Sequence, residues 1–267
     1  SVSRKMVKAT ARKVEELFSR SLGQLELAVL MFDGVDVGGH AVIIALGIDT
    51  KGVKHILGLR QGATENTAVA KGLLEELVER GLAVDRPMLV VIDGAKALRK
   101  AVTEVLGEKT PVQRCTVHKR RNVVGHLSKS DQPWVSRRMT QAYNEKDEAK
   151  ARRQLLNLAE QLEKINPSAA KSLLEALDET LTVQRLGLPD ELKRSLRSTN
   201  ILESANNGVR DRSRNVKRWR DGIQVERWTA AGLLETEKKF RRIRGYKHMT
   251  VLIAALNNDK RLEQQAA

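Results

Sequence analysis

The 267-residue chain is long enough for one large domain or for a domain carrying a sizeable insertion, and its 41% hydrophobic content is enough to build a core. Its 48 Lys and Arg against 33 Asp and Glu leave a formal charge of +15, which points to a polyanionic partner, most simply nucleic acid. A single cysteine, Cys115, excludes an intrachain disulfide, and no run approaches the roughly 18 apolar residues of a spanning helix, so we expect a soluble, intracellular protein with no membrane partner.

In chain order, residues 4–20 read as a basic amphipathic helix, apolar at Val7, Val14, Leu17 and Phe18. Leu25 to Phe32, His40 to Ile48 and Val53 to Arg60 are short β-branched or apolar runs parted by Gly-rich turns at Gly34 to Gly39 and Asp49 to Gly52, which predicts a three-stranded antiparallel meander. Thr64 to Arg80 predicts a helix with Thr64 as N-cap, Glu65 in its first turn, a Leu73, Leu74, Leu77 and Val78 stripe, and Gly81 to stop it. Pro87 to Ile92 is a nearly continuous apolar run, a strand covered on both faces, and strand–helix–strand implies a crossover to a parallel neighbour. A helix over Ala95 to Leu106 and a strand over Pro111 to Val117 follow.

From Arg120 to Leu196 only helical patterns recur, such as Leu155, Leu158, Leu162 and Ile165 and then Leu173, Leu174 and Leu177, with boundaries at Pro133, Pro167 and Pro189. Helices return with Glu203, Trp228 to Arg241 and Met249 to Leu256. The expected fold class is α/β: a mixed sheet of three antiparallel and then two parallel strands, interrupted by an all-α insertion before the glutamate helix. The expected division is an N-terminal helical remnant over 1–24, the sheet-bearing domain over 25–119 and 198–267, and the helical insertion over 120–197.

Two predicted strands end alike, in Met31-Phe32-Asp33-Gly34 and Val91-Ile92-Asp93-Gly94. Open α/β sheets place ligands at the carboxyl ends of their strands, and two carboxylates emerging there together can share Mg²⁺. Either Asp-Gly alone is also a turn signal; the pairing on adjacent strands favours chemistry. Glu203, in Ser198-Thr199-Asn200-Ile201-Leu202-Glu203-Ser204, is the candidate third carboxylate. Three residues after Asn200 it also suits a capping box, yet Asn200, Asn206 and Asn207 accompany it and Arg210, Arg212, Arg214, Lys217, Arg218 and Arg220 follow at once. An acid in so basic a strip either neutralises it or holds a metal beside phosphates.

The third motif is Gln113-Arg114-Cys115-Thr116-Val117-His118-Lys119-Arg120-Arg121. Cys-x-x-His is half of a zinc site, but the other ligands would have to come from His40, His55, His126 and His248, so zinc is disfavoured. His118 reads instead as a group near a phosphate or an extruded base. Arg114, Lys119, Arg120 and Arg121, with Asn200, Asn206 and the Arg210 to Arg220 strip, are the candidate DNA contacts, directed to phosphates and largely indifferent to sequence. Trp219 and Trp228 read as core residues ahead of stacking platforms, because only 3% of residues are aromatic.

Together and in this order, Phe32-Asp33-Gly34, Val91-Ile92-Asp93-Gly94, the Cys115 to His118 motif followed by Arg121-Asn122-Val123, and Ser198 to Ser204 resemble the Mutator-type transposases of bacterial insertion sequences. That family has a ribonuclease H-like Asp-Asp-Glu catalytic domain, and the resemblance runs from Leu27 to Glu237. It implies that Asp33, Asp93 and Glu203 form a metal-binding triad for two Mg²⁺ or Mn²⁺ ions, with Cys115 and His118 completing the catalytic site. It also implies that the long separation of 110 between Asp93 and Glu203 reflects an all-helical insertion between the last strand and the glutamate helix, in agreement with the periodicity from Arg120 to Leu196.

The implied activity is nicking at an element's end and transfer of the freed 3′-hydroxyl to target DNA, without a covalent intermediate or ATP. The implied partners are element ends, target DNA and further copies of the chain, as a homodimer or higher oligomer, in the bacterial cytoplasm at the nucleoid. Family members usually carry an upstream end-recognition region, whereas only residues 1–24 precede the first predicted strand; the chain starts at Ser1, and the expectation is a catalytic fragment or a loss of end recognition. Two alternatives stay open: a ribonuclease H-like nuclease without strand transfer, and a catalytically silent DNA-binding protein derived from a transposase.

Overall fold

Residues that alternate or are β-branched form the sheet, and the glycines between them set where it turns. In this computed structural model, residues 2–62, 66–214, 216, 218–219 and 221–265 are described, with the backbone alone for 2–7 and 260–265. Helix α1 (Val2–Phe18) leads to β1 (Leu27–Val37), β2 (His40–Asp49) and β3 (Lys54–Gly62). Helix α2 (Thr67–Glu79), β4 (Leu89–Ile92), α3 (Lys96–Leu106) and β5 (Val112–Arg114) follow. The sheet order is β3-β2-β1-β4-β5, with antiparallel pairing from β3 to β1 and parallel pairing from β1 through β4 to β5. This is the mixed sheet expected from the sequence.

In the first half of the chain three boundaries differ from expectation, each for a local reason. β1 does not stop at Phe32: Val35 and Val37 alternate inward with Gly34 and Asp36, and pairing with β2 continues to Val37 opposite His40. The turn is confined to Gly38 and Gly39, both at positive φ (64° and 82°), as a two-residue hairpin connection demands. β5 ends at Arg114 and not at Val117, because the Cys115 sulfur accepts the His118 N–H and starts a helix. Helix α2 is capped by Asn66, whose side chain accepts the Val69 N–H; the expected cap Thr64 and Glu65 lie outside the described residues.

The insertion comprises α4 (Thr116–Gly125), α5 (Gln132–Asn144), α6 (Glu148–Glu163), α7 (Pro167–Leu174), α8 (Leu177–Thr180), α9 (Thr182–Arg185) and α10 (Asp190–Leu196). Pro133 and Pro167 sit in the first turns of their helices, where a missing N–H costs nothing. Leu155, Leu158 and Leu162 pack with Val135, Met139 and Leu173 into a core separate from the sheet's, while Ile165 and Leu174 are exposed because their helices have ended or turned. The last part of the insertion, Val183, Leu192 and Leu196, joins the sheet's own core.

Helices α11 (Asn200–Ser213), α12 (Gly222–Glu237) and α13 (Met249–Gln265) then complete one face of the sheet with α1, around Met31, Ile44, Leu202 and Leu233. Helix α12 starts at Gly222, ahead of the predicted Trp228, because the Asp221 carboxylate caps it on the Gln224 N–H. Helices α2 and α3 cover the other face around Phe32, Leu73 and Leu98. Among the described residues no helix is long and apolar enough to cross a membrane.

Candidate active site

Pairing of Phe32 with Ile92 puts Asp33 and Asp93 side by side, one residue beyond the last paired position of β1 and β4. Asp33 stands within β1 and not at its end, but its neighbour β4 has stopped, so the carboxylate still emerges at the sheet's carboxyl edge. On β1 Asp33 shares a face with Met31 and Val35, which look towards α11, and it is 3% exposed. The Asp93 side chain accepts the Ala95 N–H at 2.8 Å, bending the chain into α3.

Helix α11 brings Glu203, Asn206 and Arg210 along one face, three and four residues apart. Glu203, Asn206 and Arg210 line a cleft with Asp33, His118 and Arg121. The helix begins at Asn200 after Thr199, without a side-chain cap, so the capping-box alternative for Glu203 does not form. Instead Glu203 Oε1 lies 3.2 Å from Arg121 Nη1 and 3.9 Å from His118 Nε2. Two of the resemblance's three acids, Asp33 and Glu203, therefore line one cleft, with Asp93 on the adjoining strand and Glu203 already in an ion pair.

Cys115 and His118 turn on each other. The buried Cys115 sulfur accepts the N–H groups of His118 and Thr199, both at 3.5 Å, and Thr199 Oγ1 lies 3.4 Å from His118 Nδ1. Hydrogen bonding to Cys115 pushes His118 up to about 9; burial opposes this, and the charges of Cys115, Asp33 and Asp93 reinforce it. Burial pushes the Cys115 thiol up, but the bonds from His118 and Thr199 outweigh it and the net direction is down. At neutral pH His118 is thus a cation facing the carboxylates.

Among the described residues no three His, Cys, Asp or Glu side chains stand in a metal-ligating arrangement. The chemistry of the donors is nevertheless that of a hard cation. The Asn206 Oδ1 is buried without a hydrogen-bond partner beside Asp33 and Glu203, an oxygen in want of a donor or an ion. Of the histidines that a zinc set would draw on, His55 is spent on Asp49 at 3.0 Å and His40 on Gln61 at 3.1 Å. A separate apolar cavity between Met88, Leu106, Pro111 and Leu256 lies at the amino ends of β4 and β5, the opposite edge of the sheet.

The basic candidates divide into two groups. Arg121, Arg210, Arg212, Arg214 and Arg218, with Asn200, are exposed; Lys217 and Arg220 lie outside the described residues. Arg114 and Lys119 correct the sequence reading, because both are buried. Arg114 Nε donates to Glu179 at 2.7 Å, and Lys119 Nζ donates to the carbonyls of Ser172 and Glu175 at 2.6 and 2.8 Å. Asn206 faces Asp33 instead of open solvent, and Arg120 turns to Thr140 at 2.9 Å, away from the cleft. Trp219 packs partly buried against the sheet core, where it meets Gly38. Sequence reasoning missed Arg194 and Arg197, two cations at the end of α10 that no motif marks.

A family model described as "Transposase, Mutator family" matches residues 1–242. The transposase for insertion sequence element ISRM5 of Rhizobium meliloti is 31% identical over 243 residues, covering 89% of this chain and 58% of the relative. That for IS905 of Lactococcus lactis is 27% identical over 228 residues, covering 83% and 56%, and that for IS6120 of Mycolicibacterium smegmatis is 29% identical over 205 residues, covering 74% and 62%. The chain therefore spans a little over half the length of the curated relatives it matches.

Proposed function

Because the chain belongs to the Mutator family of transposases, we propose that it is the module that cleaves and joins DNA strands for an insertion sequence, built on a ribonuclease H-like sheet with Asp33, Asp93 and Glu203 as its acidic triad. The observation that carries this reading is the convergence of Asp33 and Glu203 on one cleft, with Asp93 on the adjoining strand and Arg121 and Arg210 at the rim. The hard-oxygen donors suit two Mg²⁺ or Mn²⁺ ions, held by Asp33, Asp93 and Glu203. When bound, such ions activate an attacking water or 3′-hydroxyl and stabilise the leaving oxygen of an in-line displacement at phosphorus.

The chain's own residues prepare that site. The Arg121–Glu203 pair is partly exposed, a class worth about 0–1 kcal/mol, so Glu203 can exchange Arg121 for another cation at little cost and release Arg121 to a phosphate. Cationic His118 offsets the repulsion between Asp33 and Asp93, and holds a proton on the cleft side of α4. Arg210, Arg212, Arg214 and Arg218 offer phosphate contacts along the exposed side of α11 and the strip after it. Substrates are the element ends and target DNA in the bacterial cytoplasm, and joining two ends in one event calls for a dimer or higher oligomer.

The test is to incubate the wild type and Asp93→Ala with a short duplex bearing an exposed 3′-hydroxyl and a supercoiled plasmid, in Mg²⁺, Mn²⁺ or EDTA. We expect joined DNA that needs the metal and is lost in Asp93→Ala, while duplex binding survives because it rests on Lys and Arg. Cleavage without joining would replace this reading with a nuclease. Binding without either would replace it with a silent DNA-binding descendant.

A further inference from the structure

One residue before Arg121, and so about 100° around α4, Arg120 faces a second cavity. It lines this cavity with Arg194 of α10, Arg197 at the end of α10, Ser198 and Asn200. The space is about 90 Å³, several times the roughly 10–15 Å³ that a single water needs, and it admits a group the size of a phosphate.

Each guanidinium has five N–H donors, and the protein uses few of them. Arg120 gives one bond to Thr140 at 2.9 Å, Arg194 gives one to the Asp190 carbonyl at 3.2 Å, and one nitrogen of Arg197 serves the Tyr143 carbonyl and the Asn144 side chain at 3.0 and 2.6 Å. Among the described residues none of the three is in an ion pair, whereas Arg99, Arg114 and Arg121 are each matched to a glutamate. Burial, together with the charges of Arg194 and Arg120, holds Arg197 below the usual guanidinium range, which registers positive charge that the fold leaves uncompensated.

The fourteen-residue helix α11 starts at the same place with no side-chain cap, so its orphan N–H groups and positive dipole end add to the field. An ordinary explanation is that Arg194 and Arg197 only complement the carboxyl end of α10. That covers two of the three cations and leaves the convergence of Arg120, and the uncapped start of α11, without a role.

We infer that this cavity binds one phosphodiester group of the DNA backbone, held by Arg120, Arg194 and Arg197 at the start of α11, and is the helical insertion's own grip on the substrate. The inference rests on the transposase reading above. Arg forks match phosphate oxygens in pairs, and the contact reads no base, so it anchors any sequence. Asn200 and Glu203 share the first turn of α11, so a strand anchored there is led on to the carboxylate cleft.

The test measures duplex affinity by fluorescence anisotropy across a salt series for the 267-residue chain, for Arg120→Gln and Arg194→Gln, and for Arg86→Gln, which is paired with Glu26 near the opposite edge of the sheet. Arg194 is exposed and makes a single bond, so its variant keeps the fold, which an unchanged melting curve checks. The expected result is that the slope of log K against log[salt] becomes shallower by about 0.9 for each cavity variant and does not change for Arg86→Gln.

Wild-type slopes in both cavity variants would overturn the inference and leave the transposase reading standing, provided that strand joining persists. Absence of duplex binding by the wild type would sink both. If inorganic phosphate raises the melting temperature of the wild type but not of Arg194→Gln, while DNA slopes stay equal, the cavity takes a free anion and the DNA assignment fails.

Discussion

The sheet and the helical insertion are each packed with leucine and valine, but the seam between them is polar. Gln113, fully buried, donates to the Arg114 and Thr180 carbonyls at 2.7 and 2.9 Å and accepts the Val183 N–H at 3.0 Å. Glu179 receives Arg99 at 2.6 Å and Arg114 at 2.7 Å, and Lys119 ties α4 to the end of α7. A few residues on, the carboxylate cleft keeps its rim in reach of solvent, with Arg121 60% exposed, although Asp33 at its floor is buried. Apolar packing stabilises two modules without fixing their mutual angle, whereas satisfied buried hydrogen bonds are directional. The cleft needs that direction, because His118 comes from α4, Asp33 and Asp93 from the sheet and Glu203 from α11.

The sharpest way to break this contrast is Glu179→Ala, which leaves the buried Arg114 guanidinium without its ion-pair partner and with only its bond to the Gly94 carbonyl. Removing one member of a buried pair costs about 3 kcal/mol, and the urea midpoint should fall accordingly. Glu179→Gln, which still accepts a hydrogen bond, should recover part of the loss. A loss under about 1 kcal/mol, the value of an exposed pair, would mean that the seam is as forgiving as the surface.

Lys119 gives the next largest effect, and it depends on pH. Burial pushes its amine down to about 8, while in the unfolded chain it returns to about 10.4. Between those values the unfolded state holds the proton and the folded state does not, so wild-type stability rises with pH through that window. Below about pH 8 both states are protonated and the contribution is at its minimum. Comparison with Lys119→Met removes the titration of every other group, and the difference in unfolding free energy should grow in favour of wild type by an amount of order 3 kcal/mol from pH 8 to pH 10.4. Parallel stability curves would show that the amine is hydrated and the seam wet.

The sheet was legible because its signals are local. A run as short and β-branched as Leu89 to Ile92, closed by Gly94, reads as a buried strand and not a helix. The places of Asp33 and Asp93 were legible for the same reason, since each follows an apolar run, whereas Glu203 was singled out by its Asn and Arg neighbours and by the family resemblance. The extent of β1 was misread because Gly34 looks like a turn, although Val35 and Val37 continue the alternation. Arg114 and Lys119 were misread for a different reason: their partners Glu179, Ser172 and Glu175 lie more than fifty positions away, and a basic run looks the same whether it meets solvent or carbonyls. Arg194 and Arg197 carry no local signal, because only the fold brings Arg120 to them.

The smallest expected effect sharpens the contrast from the side of the cleft. Gly38 turns the β1–β2 hairpin at φ 64°, and a Cβ there would collide with the Trp219 indole, which lies half-buried against the sheet core. Gly38→Ala therefore carries a left-handed backbone penalty of roughly 1–2 kcal/mol and must push Trp219 outwards. Because Trp219 lies in sequence within the basic strip that follows α11, the displacement should reach DNA binding as well as stability. Red-shifted tryptophan emission together with weaker duplex affinity is the expected outcome. Emission unchanged at a lowered melting temperature would confine the effect to the turn and detach the basic strip from the hairpin. The two regions would then differ in kind, with a seam set by side-chain hydrogen bonds and the proposed DNA face set by the helix α11 alone.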